Sequence, residues 1–395
     1  MPSQRRVRAP SRLQRVIYTL RTEGGSRGQE AWAIGLGLAV GFSPFIGLHL
    51  GMCIALGWLF GLNRLKLYLA ANLVNPLIMP GVLFIEVQLG SWLRRGEAYE
   101  LSRDTFLLMD PWHFGLDLVL GGMALSILGG LIAGVLTYAA LGRRYRDTSF
   151  TRLTAAAADR YLGTSLTAWE FARAKLRGDP VYRAVLASGW LPGSGVLVDI
   201  GCGPGLLLAL VAQAAEEAHD GRWPPDGWPV PPADLRLHGV EVRPRAADLA
   251  RYALGDAADI QTIDAREARL PETIDLATLF DVLHLIDRPS QGPLVARLAA
   301  AMPPGAILLV READAAAGWR FRLVRLGNRV TALVRGRWRT PFAFRTAAEW
   351  QAELAALGFD VSVAPMGKGT PFANVLLVAR RQAPRQAPRQ APTAS

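Results

Sequence analysis

Between Val196 and Gly205 the chain reads Val-Leu-Val-Asp-Ile-Gly-Cys-Gly-Pro-Gly, and an apolar stretch from Leu206 to Ala215 follows directly. A short apolar run closed by turn residues predicts a buried strand, and the stretch behind it predicts a helix. Glycines at 201, 203 and 205 let the main chain approach a ligand where a side chain would collide. A dinucleotide site uses the longer Gly-x-Gly-x-x-Gly turn, which aims a helix N-terminus at a pyrophosphate. Here the turn is shorter and Asp199 precedes it, which suits a cationic ligand without phosphate. A nucleotide-binding dehydrogenase is the alternative reading of this loop, and the spacing counts against it.

Beyond the loop, apolar strands alternate with alanine- and leucine-rich helices to about Arg381, the pattern of an α/β domain with a mainly parallel sheet. Several strand ends carry acids. Leu235 to Val240 runs into Glu241, a third strand from Asp259 leads to Asp264, and Ile274 to Phe280 leads to Asp281-Val282-Leu283-His284. Pro304-Gly305 turns into a fifth strand, Ala306 to Val310. Asp220 to Pro232, rich in tryptophan and proline, reads as a surface loop inserted between the first helix and the second strand.

In this order the residues resemble class I S-adenosylmethionine-dependent methyltransferases over about residues 180–381. The resemblance implies a Rossmann-like sheet of seven strands, the last antiparallel at about Phe372 to Ala379, with S-adenosylmethionine as cofactor. It also implies cofactor contacts from Asp199, Gly201, Gly203, Gly205, Glu241 and Asp264. Glu241 matches the acid that accepts both ribose hydroxyls, and Asp264 the one that receives the adenine amino group. Asp281 is placed to contact the amino end of the cofactor. Enzymes that methylate the amines of nucleic-acid bases commonly carry Asn/Asp-Pro-Pro-aromatic at the fourth motif. Asp281-Val282-Leu283-His284 departs from this, which counts against a nucleic-acid substrate and favours a small or lipid-like acceptor. His284 is the candidate general base, since an imidazole can take the proton that a phenol or enol loses. The alternative is a histidine that only packs and hydrogen-bonds beneath the cofactor.

The net charge of +11, a hydrophobic fraction of 51% and a charged fraction of 19% do not describe an ordinary soluble enzyme throughout. The apolar excess lies before residue 146. Ala31 to Leu62 carries no formal charge but is broken at Gly41, Pro44 and Gly47; Leu67 to Trp92 is broken at Asn75-Pro76 and Pro80; Gly115 to Leu141 is the cleanest run. A membrane crossing needs ~20 apolar residues, so the third run suffices and the first two either cross or dip in and return. Arginines dominate residues 1–29, with seven up to Arg27, and Arg143, Arg144 and Arg146 follow the third run. Basic flanks at both ends predict an even number of crossings, with both termini in the cytosol. Gly41-Phe42-Ser43-Pro44-Phe45-Ile46-Gly47-Leu48-His49 and Ala71-Asn72-Leu73-Val74-Asn75-Pro76 resemble a small bacterial membrane domain of unknown function. His49, Asn72 and Asn75 are polar at apparent membrane depth, either functional or satisfying carbonyls that the prolines free. The expectation is a multi-pass protein of the bacterial inner membrane with its catalytic domain in the cytosol.

Four segments follow: a basic N-terminus at 1–29, a helical membrane domain at 30–146, the methyltransferase domain at 147–381, and a Gln-Ala-Pro-Arg repeat at 382–395 that predicts disorder. Cys53 and Cys202 lie in different segments and five histidines are scattered, so neither a disulfide framework nor a metal site is expected. Residues 318–345 interleave aromatics with eight arginines. Such a surface can stack on nucleic acid, lie on anionic lipid, receive an acidic acyl carrier protein, or be a solvated helix face. Arg335, Arg337 and Arg339 are the candidate substrate-docking residues.

A more specific resemblance, to methyltransferases of bacterial aryl polyene clusters, rests on Lys175 to Tyr182, Glu312-Ala313-Asp314 with Gly318 to Arg322, and Pro365 to Val375. It implies O-methylation of an aryl group on a lipid-like, carrier-bound polyene, with C-methylation left open. Two other readings stand beside it: a transport or scaffold protein with a cofactor-sensing domain, and a membrane-tethered RNA methyltransferase.

Overall fold

The computed structural model describes residues 11–22, 26–45, 47–74, 77–100, 110–141, 148–223, 227–229, 231, 234–334, 336, 341–367 and 372–383. The chain forms two compact units, residues 11–148 and a second that begins at Ser149.

The first unit is helical: α1 (Arg12–Thr22), α2 (Arg27–Gly41), α3 (His49–Leu59), α4 (Arg64–Ala71), α5 (Met79–Arg95) and α6 (Pro111–Leu141). Ser26 and Gln29 close a capping box at the start of α2, and Asn63 caps α4. The first apolar run is divided between Gly41 and His49 and the second between Ala71 and Met79, giving helices of 15 and 11 residues and then 8 and 17. Each falls short of the ~20 residues of a crossing. α6, at 31 residues, is the one helix among the described residues long and apolar enough to cross a membrane. Glycines allow its close contacts. A Cβ at Gly121 would overlap the Glu86 carbonyl, and one at Gly90 would overlap the Asp117 carbonyl. Asp117, the one charge within α6, is fully buried and takes hydrogen bonds from Arg94 (Nε at 2.6 Å, Nη2 at 3.0 Å) and the Tyr99 hydroxyl at 2.7 Å. The His49 ring lies 3.5 Å from the Ser43 carbonyl, and the Asn72 amide donates to the Tyr68 carbonyl at 2.7 Å. These are the carbonyl-satisfying contacts expected near chain breaks; Asn75 lies outside the described residues.

The second unit is a mixed α/β, Rossmann-like fold. After α7 (Thr148–Asp159), α8 (Leu166–Gly178) and α9 (Pro180–Ala187) come β1 (Ser194–Ile200), α10 (Leu206–His219), β2 (Asp234–Val240), α11 (Pro244–Leu254), β3 (Ala258–Gln261), β4 (Leu276–Phe280), α12 (Arg288–Ala301), β5 (Ile307–Ala313), α13 (Trp319–Val334), α14 (Ala347–Ala356), β6 (Phe359–Pro365) and β7 (Asn374–Arg381). The sheet order is β3-β2-β1-β4-β5-β7-β6, and β7 alone runs antiparallel to its neighbours. All seven residues of β5 are buried, as a strand covered by helices on both faces requires. Strand order reverses between β1 and β4, so a crevice opens beyond the carboxyl ends of those strands.

Candidate active site

A cavity of about 970 Å³ fills that crevice, and Asp199, Gly201, Glu241, Asp264, Asp281 and His284 all line it. Acids separated by up to 82 positions in sequence (199 to 281) thus meet because each sits at the carboxyl end of a strand or just past it. The loop after β1 is left-handed at Gly201, Gly203 and Gly205, with φ of 70°, 57° and 78°. At Gly203 the missing Cβ leaves a cradle whose nearest atoms are the Arg243 guanidinium at 3.7 Å and a Glu241 carboxylate oxygen at 4.0 Å. Neither Gly203 nor Gly205 is among the residues lining the cavity, and Gly205 is the more tightly packed. A Cβ there would press on Ala250 and Leu254 at 3.0 Å, so this glycine serves the packing of α10 on α11.

Two of the acids already hold hydrogen bonds from a neighbouring arginine. Glu241, buried just past β2, accepts from Gly203 N (2.9 Å), Arg243 N (2.8 Å), Arg243 Nε (2.9 Å) and Arg243 Nη2 (3.2 Å). That fills the four acceptor positions of a carboxylate. Asp264, three residues past β3, accepts from Arg266 N, Nε and Nη2 at 2.8–2.9 Å, and Arg266 also reaches Asp287 at 3.1 Å. The Arg266 guanidinium accordingly holds the Asp264 carboxyl below the usual carboxylate range. Asp199 differs. It is buried with one hydrogen bond, from the Thr278 hydroxyl at 2.7 Å, and burial pushes its carboxyl up to about 7. An acid so raised is an unfilled place for a positive charge.

Asp281 has a φ of 58°, the one positive value at a non-glycine among the described residues. Arg311, buried in β5, grips it through Nε at 3.1 Å and Nη2, and grips Asp179 at the start of α9 through Nη1 at 2.6 Å. Both oxygens of Asp281 are therefore turned toward Arg311 rather than presented singly to a ligand. Tyr161, almost wholly buried, donates its hydroxyl to the Pro204 carbonyl of the glycine loop at 2.8 Å.

His284 forms the opposite wall. Its Nδ1 lies 2.7 Å from Oε2 of buried Glu312, and its main-chain N lies 3.3 Å from Oε1. The ring stacks on Phe344 at 4.6 Å and 6°, and the Asn328 side chain on α13 favours its charged form. Burial alone would lower the imidazole pKa, but the Glu312 carboxylate, helped by Asp281 and Asn328, outweighs it and the net shift is upward. With Nδ1–H donating to Glu312, Nε2 is the ring's proton acceptor. Phe280, Phe342 and Phe344 with Val324 and Ala332 make this end of the cavity apolar.

Glu312, Arg311, Arg243 and Arg266 are site residues that sequence reasoning did not single out for a role. For the first two a signal existed: Arg311-Glu312 puts opposite charges at the carboxyl end of a strand that is otherwise apolar, where ligands of parallel sheets bind. Arg335, Arg337 and Arg339 lie outside the described residues.

Residues 168–362 match a family described as a methyltransferase domain, and residues 11–149 match a family of uncharacterized proteins conserved in bacteria (DUF2062). The second unit is thus a class I S-adenosylmethionine-dependent methyltransferase domain with S-adenosylmethionine as its cofactor, and it follows a domain of that bacterial family. Similar solved structures include a methyltransferase from Methanosarcina mazei, with 15% identity, a TM-score of 0.35, and coverage of 50% of this chain and 97% of that one. Magnesium protoporphyrin IX methyltransferase from Synechocystis with bound SAH gives 18%, 0.36, 61% and 92%. An O-methyltransferase family protein from Burkholderia thailandensis gives 15%, 0.40, 83% and 87%. At these scores the likenesses say nothing about substrate. No curated protein matches the chain.

The residues fit the cofactor. The cradle at Gly203 admits a sugar beside Glu241, and buried Asp199 lacks a cation. The Arg243 side chain, 44% exposed, has water to swing into when hydroxyls replace it.

Proposed function

We propose that the chain O-methylates a small or lipid-like aryl acceptor at the bacterial inner membrane, an aryl polyene or related product held on a carrier. The observation that carries this reading is the His284–Glu312 pair, set beneath Phe344 in the cavity that also contains the cofactor acids. Glu241 takes the ribose hydroxyls, Asp264 the adenine amino group and Asp199 faces the positive charge. When bound, S-adenosylmethionine supplies a methyl group on a cationic sulfur. An acceptor aryl ring lies among Phe280, Phe342 and Phe344 with its hydroxyl at His284 Nε2. His284 Nε2 would take up the proton that the acceptor hydroxyl loses on methylation. Glu312 fixes the ring's tautomer and stabilises the resulting imidazolium. Holding the two reactants in line supplies most of the rate, without a covalent step.

The membrane part of the reading rests on α6. Its outer surface exposes Met123, Ile127, Leu128, Leu131, Ile132, Val135 and Leu136, and its length of ~46 Å exceeds a ~30 Å hydrocarbon core. The pairing of Asp117 with Arg94 removes the cost of its lone charge. The shorter apolar helices α2, α3 and α5 complete a multi-pass bundle as re-entrant or tilted segments, with the methyltransferase domain cytosolic.

Comparative mass spectrometry of lipids and metabolites from a strain lacking the gene tests the function. Species one methyl group lighter should accumulate, and the purified full chain with S-adenosylmethionine should convert them. An unchanged profile would refute the reading.

The ribose assignment gives a second test. Glu241→Ala should weaken S-adenosylmethionine binding by ~1–3 kcal/mol through lost charge-assisted hydrogen bonds. Arg243→Ala should instead tighten it about fivefold, because the arginine competes for the same carboxylate. Calorimetry on the full chain reads both, and equal losses in the two variants would be inconsistent with a competing role.

A further inference from the structure

Helix α13 has two faces with different tasks. Phe321, Val324, Asn328 and Ala332 are half-buried against the domain, and Val324, Gly327, Asn328, Thr331 and Ala332 line the cavity. The opposite face is an unbroken apolar stripe: Trp319, Leu323, Leu326, Val330 and Leu333 recur at steps of four, three, four and three. They are 61%, 38%, 60%, 49% and 61% exposed. Such a stripe on water costs roughly 25 cal/mol for every Å² left uncovered. Arg322, Arg325 and Arg329 run along one border of the stripe, and Arg320 along the other. The first three form no ion pair with any described residue, and with Leu326 they enclose a shallow cleft. The helix contains no Asp or Glu.

We infer that α13 lies in the surface of an anionic phospholipid bilayer, with the Trp319–Leu333 stripe among the acyl chains and Arg322, Arg325 and Arg329 on lipid phosphates. Apolar residues on one face with arginines at its borders are what an interfacial helix requires. An acidic carrier or a nucleic acid would engage the arginines and leave five large apolar side chains in water, so charge and apolarity together select lipid. Because the same helix roofs the acceptor end of the cavity, the lipid-like part of the acceptor enters from the bilayer past α13, and any carrier is engaged elsewhere. That last step rests on the methyltransferase reading above; the lipid contact does not.

The test uses the full chain with Leu326→Cys carrying an environment-sensitive fluorophore. Cys53 and Cys202 are both buried, which directs the label to the new thiol. The protein is reconstituted in phosphatidylcholine vesicles with or without phosphatidylglycerol, and Asp360→Cys on exposed β6 serves as the control. With phosphatidylglycerol, emission at 326 should shift to the blue and be quenched by nitroxide-bearing lipids, while the 360 probe stays water-like. Adding Arg322→Gln, Arg325→Gln and Arg329→Gln should cut the inserted population about fivefold per arginine, roughly a hundredfold in all. Water-like emission at 326 beside phosphatidylglycerol would overturn the inference. So would a blue shift that nitroxide lipids fail to quench, which would mean protein covers the stripe. Methyl transfer in the same vesicles separates the two readings. Turnover with a water-exposed 326 defeats the lipid contact alone, and lipid-quenched 326 without turnover defeats the enzyme alone.

Discussion

His284→Ala is expected to lower kcat by two to four orders of magnitude, roughly the contribution of a positioned general base, with S-adenosylmethionine affinity unchanged. Glu312→Gln separates base from support. In the native site the Glu312 carboxylate holds the imidazole pKa above its ordinary 6.5 against the opposing effect of burial. The neutral ring is the proton acceptor, so activity should rise with pH through that elevated pKa. With glutamine at 312 the largest upward influence is gone and only the weaker ones of Asp281 and Asn328 still oppose burial, so the rising limb should move to lower pH while the plateau falls. The profile is best taken as kcat at saturating cofactor, where Asp199, which titrates at about 7 when its site lacks a cation, adds no limb of its own. A Glu312→Gln enzyme with the native limb and plateau would remove Glu312 from the mechanism. A fully active His284→Ala would leave the histidine as packing.

The largest stability effect should come from Arg311. Its guanidinium is 3% exposed and joins Asp179, which is 12% exposed, to Asp281. Arg311→Met leaves two carboxylates facing each other in a site built around a cation, and removal of one partner from a buried pair typically costs about 3–5 kcal/mol. For a domain of this size that lowers Tm by roughly 10 °C. Asp179 keeps Lys175 at 2.7 Å, but adding Asp179→Asn to Arg311→Met should still restore part of the loss, since the two carboxylates no longer repel, and a thermal-melt double-mutant cycle measures the recovery. Additive losses would show that Arg311 and Asp179 do not act as a pair.

Much of this site was legible because parallel sheets put their functional groups at strand ends, and strand ends can be found from apolar runs. Asp199, Glu241, Asp264, Asp281 and His284 were each reached in that way, and the cavity brings all five together. What the pattern did not disclose is which of them are occupied. Arg243 and Arg266 each sit two residues after the acid they clamp, a spacing that looks like ordinary surface charge until the turn geometry folds the guanidinium back. The Glu312–His284 contact spans 28 positions and depends on β4 lying beside β5, a fact of topology rather than of local sequence. In the first unit the breaks were legible at Gly41, Pro44 and Gly47, and the helix ends fall around them. Ala31 to Leu62 lacks formal charge, yet α2 ends at Gly41, α3 starts at His49 and Asn63 opens α4. Apolar composition marks what avoids water; glycine and proline mark where these helices break.

The hydroxyl of Tyr161 on the glycine loop and the grip of Arg311 on Asp179 both originate before the first strand. The helices from 148 to 187 are therefore masonry for the cofactor cleft and no mere spacer behind the first unit. A chain trimmed to start at β1 would keep every acid and histidine named above, yet its glycine loop would lose the hydroxyl that braces it and Arg311 would lose half its counter-charge. The shortest working enzyme begins ahead of its own nucleotide-style motif, and grafting that motif onto another scaffold would have to carry these three helices along.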